Sequence, residues 1–247
     1  MPSPIALGTR IVTLVWIGVA AVLSIYWLMQ QIRGWSLLDL ATRLESGATY
    51  RGFPAGEGDL TPSARLGFLC DIRMQRARVT IRLARLDAIT DFNAFDHFDR
   101  MAGEAVDELR ELIRCNPYDG NAWLRLSMTQ VQRQGPTPEN LEALRLSYLT
   151  SPHEIWIMRG RIPFAERLLA AGIETLAPQA EEELDLFIAK AFPRDIALVF
   201  LATPPMARNR FVDKLKALEP GRYRQIYRAL LIAGADLTKV LPAPERN

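Results

Sequence analysis

From Ile11 to Met29 the chain runs for 19 residues without a charge, and no other stretch constrains it as strongly. The run is rich in Val, Leu, Ile and Ala. A helix of that length, rising about 1.5 Å per residue, spans about 28 Å, close to the ~30 Å hydrocarbon thickness of a bilayer. Trp16 lies inside it, and Tyr26, Trp27 and Trp35 gather near its exit, where amphipathic rings settle at headgroup level. A cleaved leader has a shorter apolar region followed by a small-x-small site. Here Gly18-Val19-Ala20 falls in mid-run and no such site follows. The expectation is a short tail over 1–10 and one uncleaved transmembrane helix over 11–29. Its orientation is less constrained, because Arg10 and the amino terminus stand against Arg33 and Arg43. A short tail before a large domain is the layout of an anchor that exports its C-terminal part. The expected location is therefore a bacterial inner membrane, single-pass, with the soluble domain in the periplasm.

Behind the anchor remain about 215 residues, enough for one sizeable α domain or two small ones. With 49% hydrophobic and 23% charged residues the chain is not a disordered one, and a lone apolar segment excludes a multi-span transporter. A net charge of +2 gives no global attraction to nucleic acid. Trp35 to Glu45 continues as a juxtamembrane helix. Gly47 to Asp59, with four glycines and one proline, breaks it. Residues 30–62 thus read as juxtamembrane helix plus Gly-rich linker, and 63–241 as an all-α domain, with a loose tail at 242–247.

Within that domain helix follows helix. Thr61-Pro62 opens one that reaches Ile89, with Ile72, Val79, Leu83 and Leu86 on one face. The next expected segments are Phe92 to Cys115, Asp119 to Arg133, and Thr137-Pro138 to Ser151. His153 to Ala171 and Pro178 to Ala191 follow, then Thr203-Pro204-Pro205 to Leu218 and Pro220 to Ala235. The apolar run Ile196 to Leu201 is short enough to be strand or helix. Cys70 and Cys115, the only cysteines, either bridge in an oxidising compartment or remain two small core residues. The second is the simpler expectation.

Two stretches resemble each other. Asn116-Pro117-Tyr118-Asp119-Gly120-Asn121-Ala122-Trp123-Leu124-Arg125-Leu126-Ser127 is echoed by Ser151-Pro152-His153-Glu154-Ile155-Trp156-Ile157-Met158-Arg159-Gly160. The prolines are 35 apart and the tryptophans 33. Each proline closes an apolar helix, and each tryptophan begins the next with Ser127 or Gly160 four positions on. This resembles a degenerate tetratricopeptide repeat, whose period is about 34 residues. The pattern departs from the family at Arg159, Gln130 and Pro163, and covers about 70 residues, Ala105 to Ala171. The resemblance implies an α-α superhelix in which Trp123, Leu126 and Trp156 fill the repeat core, and a curved surface that binds other proteins. The order of anchor, Gly-rich break and helical region, followed by Ala143-Leu144-Arg145-Leu146-Ser147-Tyr148-Leu149-Thr150-Ser151-Pro152, also resembles the small bitopic VpsP-like proteins of bacterial exopolysaccharide clusters. That resemblance implies a supporting role in polysaccharide assembly or export and brings no catalytic residues.

Signals for chemistry are sparse. Asp96-His97-Phe98-Asp99 flanks one of only two histidines with acids, but no second His or Cys lies within a turn, so neither a metal nor a cofactor is expected. His153 follows Pro152 at a helix start. There is no nucleophile elbow, no Gly-x-Gly-x-x-Gly, and the Gly47–Gly58 loop lacks the Lys-Ser/Thr of a phosphate loop. Arg65, Arg73, Arg76, Arg78, Arg82 and Arg85 crowd 21 residues with Asp71 as the only acid. Arg78, Arg82 and Arg85 share a face, which reads either as a dock for an anionic partner or as cations paired with Glu104, Asp107, Glu108 and Glu111. No aromatics are interleaved with them, which disfavours single-stranded nucleic acid. The functional expectation is a non-enzymatic, membrane-anchored scaffold for envelope or polysaccharide-assembly proteins, compatible with a homo-oligomer. The competing expectation is a small membrane-bound enzyme or ligand sensor using His97 and the Arg78 face.

Overall fold

The computed structural model describes residues 4–45, 70–89, 95–237 and 241–243; in the first helix the side chains described are those of 14–29, 35 and 37–45. Among the described residues the chain is all-α: ten α-helices and one 3-10 turn, with consecutive helices packed in pairs. Contacts divide it into two compact units, residues 1–101 and 102–247.

In the first unit α1 (Pro4–Glu45) is one continuous helix of 42 residues, so the expected anchor and juxtamembrane helix are a single rod. Every side chain from Leu14 to Met29 is exposed. Among the described residues no helix is long and apolar enough to cross a membrane. The apolar run with described side chains is 16 residues, about 24 Å at 1.5 Å per residue, and Ile11 to Thr13 of the expected anchor lie outside it. The far end of α1 packs on α2 (Ile72–Asp87), burying Leu40 and Ala41 against Ala77 and Ile81. The expected opening of this helix at Thr61-Pro62 lies outside the described residues. Cys70 and Asp71 are not helical. Asp71 is the N-cap, its Oδ1 accepting from the Met74 amide at 3.1 Å. A helix starts there because the carboxylate satisfies an amide that has no partner inside the helix.

The remaining helices are α3 (Phe95–Cys115), α4 (Gly120–Gln134), α5 (Pro138–Thr150), α6 (Ile155–Ala170), α7 (Ala177–Lys190), α8 (Pro193–Ala202), α9 (Asn209–Lys216) and α10 (Pro220–Ile232). On α3 the residues Ala105, Leu109, Leu112 and Ile113 are buried at the expected helical spacing. The run Ile196 to Leu201 is helical: Pro193 opens α8, and Ile196, Ala197, Val199 and Phe200 turn inward. The helix expected from Thr203 to Leu218 is divided into a 3-10 turn over Pro205–Ala207 and then α9. At this break Arg208 turns back to donate to the carbonyls of Thr203 (2.6 Å) and Leu201 (3.0 Å), satisfying the open end of α8.

Beyond the buried face of α3, two apolar clusters are seen among the described residues of the second unit. Leu124, Leu141, Leu144, Tyr148, Ile157, Phe164, Leu168 and Leu176 join α4 through α7. Met158, Ile162, Leu184, Phe187, Ile196, Phe200, Phe211, Ile226 and Leu230 join α6 through α10, with Phe200 and Phe211 edge to face at 5.5 Å. Helix α6 contributes to both, which is why nearly all of its central turns are buried. Neither cysteine is a free thiol; both are disulfide-bonded, against the simpler expectation of two core thiols.

Candidate functional site

The two stretches that resemble each other in sequence form two proline turns, before α4 and before α6. Asp119 caps α4 by accepting from the Ala122 amide at 3.1 Å. Glu154 occupies the matching position before α6 but caps no amide; its carboxylate instead accepts from Trp156 Nε1 at 3.0 Å. Trp123 turns the other way, donating from Nε1 to the Pro117 carbonyl at 2.8 Å, and is half-buried.

Small residues let these turns approach. Gly120 is required: a Cβ there would collide with the Ser151 side chain. The Ser147 hydroxyl donates to the Gly120 carbonyl at 2.7 Å, and that of Ser127 to the Asn140 carbonyl at 2.6 Å, so α4 and α5 are stitched antiparallel at both ends. A Cβ at Gly160 would lie 3.4 Å from a Leu124 methyl, which measures how closely α6 approaches α4.

Behind the turns is a buried polar hub. Arg161 is fully buried. Its Nε donates to Glu183 Oε1 of α7 at 2.7 Å, and its Nη1 to the Ser147 carbonyl at 2.7 Å. Nη2 donates to the Ser151 carbonyl at 3.0 Å, and the guanidinium lies 4.4 Å over the Tyr148 ring. One planar fork thus ties the open carbonyl end of α5 to α6 and α7. Burial raises the Glu183 carboxyl above its ordinary range, and the hydrogen bond from Arg161 opposes it. Sequence reading missed this hub. The available signal is a cation at 161 on the otherwise apolar stripe Ile157, Met158, Ile162 and Ala165.

A second polar group links α9 to α6 and α7. Arg210 pairs with Glu166 (3.4 Å) and Glu181, and Lys214 with Glu181 and Asp185 (2.6 Å). Glu166 is buried, and burial pushes its carboxyl up, whereas the bond from Lys214 holds Glu181 down.

The outer edge of the proline turns is mixed, with Pro152, His153 and Glu154 exposed beside apolar side chains. Tyr118 (79% exposed), Leu149 (66%) and Trp156 (55%) stand out from the surface. Of the residues expected in the repeat core, Leu126 is buried and Trp123 half-buried. Trp156 is not in the core, because the Glu154 carboxylate holds its indole outward. The arginines expected on one face of α2 do share a side, but it is an inner one: Arg82 is buried, Arg78 and Arg85 are half-buried, and all three already make polar, ionic or ring contacts. His97 is exposed on the first turn of α3, its Nδ1 accepting from Arg100 Nη2 at 2.8 Å. No three His, Cys, Asp or Glu converge on a metal position among the described residues. A cavity of about 10 Å³ lined by Leu141, Leu144, Ala165, Leu168 and Leu176 has room for no more than about one water.

No family model matches the chain, no curated protein matches it, and no solved structure matches its fold.

Proposed function

We propose that this chain is a non-enzymatic scaffold, anchored in a bacterial inner membrane by α1, whose helical-repeat unit binds partner proteins of envelope or exopolysaccharide assembly. The observation that carries the reading is the pairing of α4 with α5 and of α6 with α7, with Tyr118 and Trp156 exposed where α4 and α6 begin and Leu149 exposed near the end of α5. Stacked helix pairs of this kind, similar to a degenerate tetratricopeptide repeat, build extended surfaces rather than deep pockets. An exposed tryptophan such as Trp156 is a frequent anchor of a protein interface.

The membrane part of the reading rests on α1. An uncharged stretch of exposed Val, Leu, Ile and Trp side chains is unfavourable in water and favourable in hydrocarbon, at about 25 cal/mol per Å² of apolar surface. The periplasmic side rests on the disulfide-bonded cysteines, since such bonds persist in oxidising compartments. The link to polysaccharide export rests on the resemblance to VpsP-like proteins alone.

Affinity purification of the detergent-solubilised chain tests it. The expected outcome is a discrete set of membrane or envelope proteins retained by the native chain and lost with Trp156→Ala at unchanged thermal midpoint. A chain that retains none, and that turns over a glycan or nucleotide, overturns the scaffold reading. A reporter enzyme fused after Asn247 that is active only in the cytoplasm overturns the periplasmic placement.

A further inference from the structure

Helix α10 has two faces of different character. Ile226 and Leu230 are buried in the core, with Tyr223 and Tyr227 packed beside them. The opposite arc, at i, i+4, i+7 and i+8, is Arg224, Arg228, Leu231 and Ile232. Ile232 is 88% exposed and Leu231 52%. Neither arginine has an ion-pair or hydrogen-bond partner among the described residues, and α10 contains no acid. The aliphatic tip is poorly matched to water, and beside it stand Arg228, exposed, and Arg224, half-buried.

The turn next to α10 repeats the chemistry. Arg222 reaches across to the carbonyls of Ile188 (3.0 Å) and Ala191 (2.6 Å), fixing α10 to the α7–α8 junction. That junction exposes Phe192 between Lys190 and Arg194, which are also exposed and without a partner among the described residues.

We propose that the outward arc of α10 is a docking face for an anionic bilayer surface, with Arg224 and Arg228 binding lipid phosphates and Leu231 and Ile232 entering the acyl boundary. Charge complementarity selects the occupant. An uncharged apolar partner leaves two arginines desolvated and unpaired. An anionic bilayer accepts the guanidinium groups in its phosphate layer and the aliphatic side chains just beneath it. The inference rests on the anchored reading only in that α1 holds the unit near a bilayer; the arc itself is a property of α10.

The test uses the full chain with Gln225→Cys, an exposed position at the edge of that arc. Both native cysteines are disulfide-bonded, so the new thiol takes a polarity-sensitive fluorophore alone. The chain is reconstituted in phosphatidylcholine vesicles with or without about one-third phosphatidylglycerol. The expected result is a blue shift and quenching by lipid-borne spin labels only in the anionic vesicles, weakened at about 0.5 M salt. Arg224→Gln with Arg228→Gln is expected to shift docking about 30-fold toward the free form, each cation near an anionic surface being worth about fivefold. Leu231→Ser with Ile232→Ser removes the blue shift while leaving part of the salt-sensitive association. A fluorophore that stays in water in anionic vesicles overturns the proposal, even when the chain resists carbonate extraction and the anchor therefore stands. A chain that carbonate removes overturns the anchor, and the fluorophore in anionic vesicles still decides the α10 face. A fluorophore that responds to polyglutamate over neutral vesicles as strongly as to anionic lipid overturns the lipid assignment in favour of an acidic protein.

Discussion

Arg161 concentrates more interactions than any other side chain described above, and its energetics are asymmetric. A buried ion pair gains little over a well-packed apolar pair, but breaking one leaves a charge stranded in a low-dielectric interior. Arg161→Met is therefore expected to cost about 3–5 kcal/mol, read from urea unfolding, because Glu183 is left buried without its partner. Arg161→Met combined with Glu183→Leu is expected to recover most of that loss. Equal losses in the single and double variants would show that the carbonyls of Ser147 and Ser151, not Glu183, are what Arg161 serves.

Glu166 gives a pH signature. Its carboxyl is raised in the folded state by burial, so its contribution is favourable below the ordinary carboxylate value and is lost as pH rises through the raised value. Glu183 is shifted the same way. Glu181 is lowered, and its contribution is present above the ordinary value and lost as pH falls through the lowered one. Thermal midpoints are thus expected to rise as pH falls through the raised values of Glu166 and Glu183, then to fall as it passes through the lowered value of Glu181. Glu166→Gln should flatten the rise and keep the fall. An unchanged rise would remove Glu166 from this account.

At the scale of elements, the α4–α5 pair depends on close approach. Gly120→Ala forces its methyl into Ser151, and the strain is expected to lower stability by about 1–3 kcal/mol in denaturant melts. Ser151→Gly in the same chain should restore much of it by clearing the space. Helix α1 carries the other element-scale prediction. Its exposed apolar length should keep the chain in the pellet after carbonate extraction, whereas a chain with Leu23→Arg and Leu28→Asp should appear in the supernatant. Helix existence was legible here from apolar periodicity and turn chemistry: Thr137-Pro138, Asp119 and the proline turns all act where the sequence places them. Helix starts and breaks were less so. Asp71 starts α2 by accepting a hydrogen bond from the Met74 amide, and the helix expected from Thr203 to Leu218 is broken at Arg208, whose bonds to carbonyls no local rule identifies.

At the scale of the molecule, the bonded cysteines make a direct prediction. The denatured chain should bind no maleimide until a reductant is added, then bind it at both cysteines. Labelling without reductant would remove the support for an oxidising compartment. A lone pair of cysteines far apart in sequence offers no local signal of bridging, because pairing depends on where the fold brings their Cβ atoms.

Helicity, the charge-free N-terminal stretch and the places of most helices are legible in the residue order alone. These follow from composition and from 3.6-residue periodicity, which act within a few residues. Which side chains share a surface depends on how the helices pack. That packing turned Arg78, Arg82 and Arg85 inward, moved Trp156 outward, and placed the Arg161 cation at a junction of three helices. The physical reason is the same in each case. A charged or aromatic side chain goes where its hydrogen bonds and its desolvation balance, and the partners that settle this come from other helices.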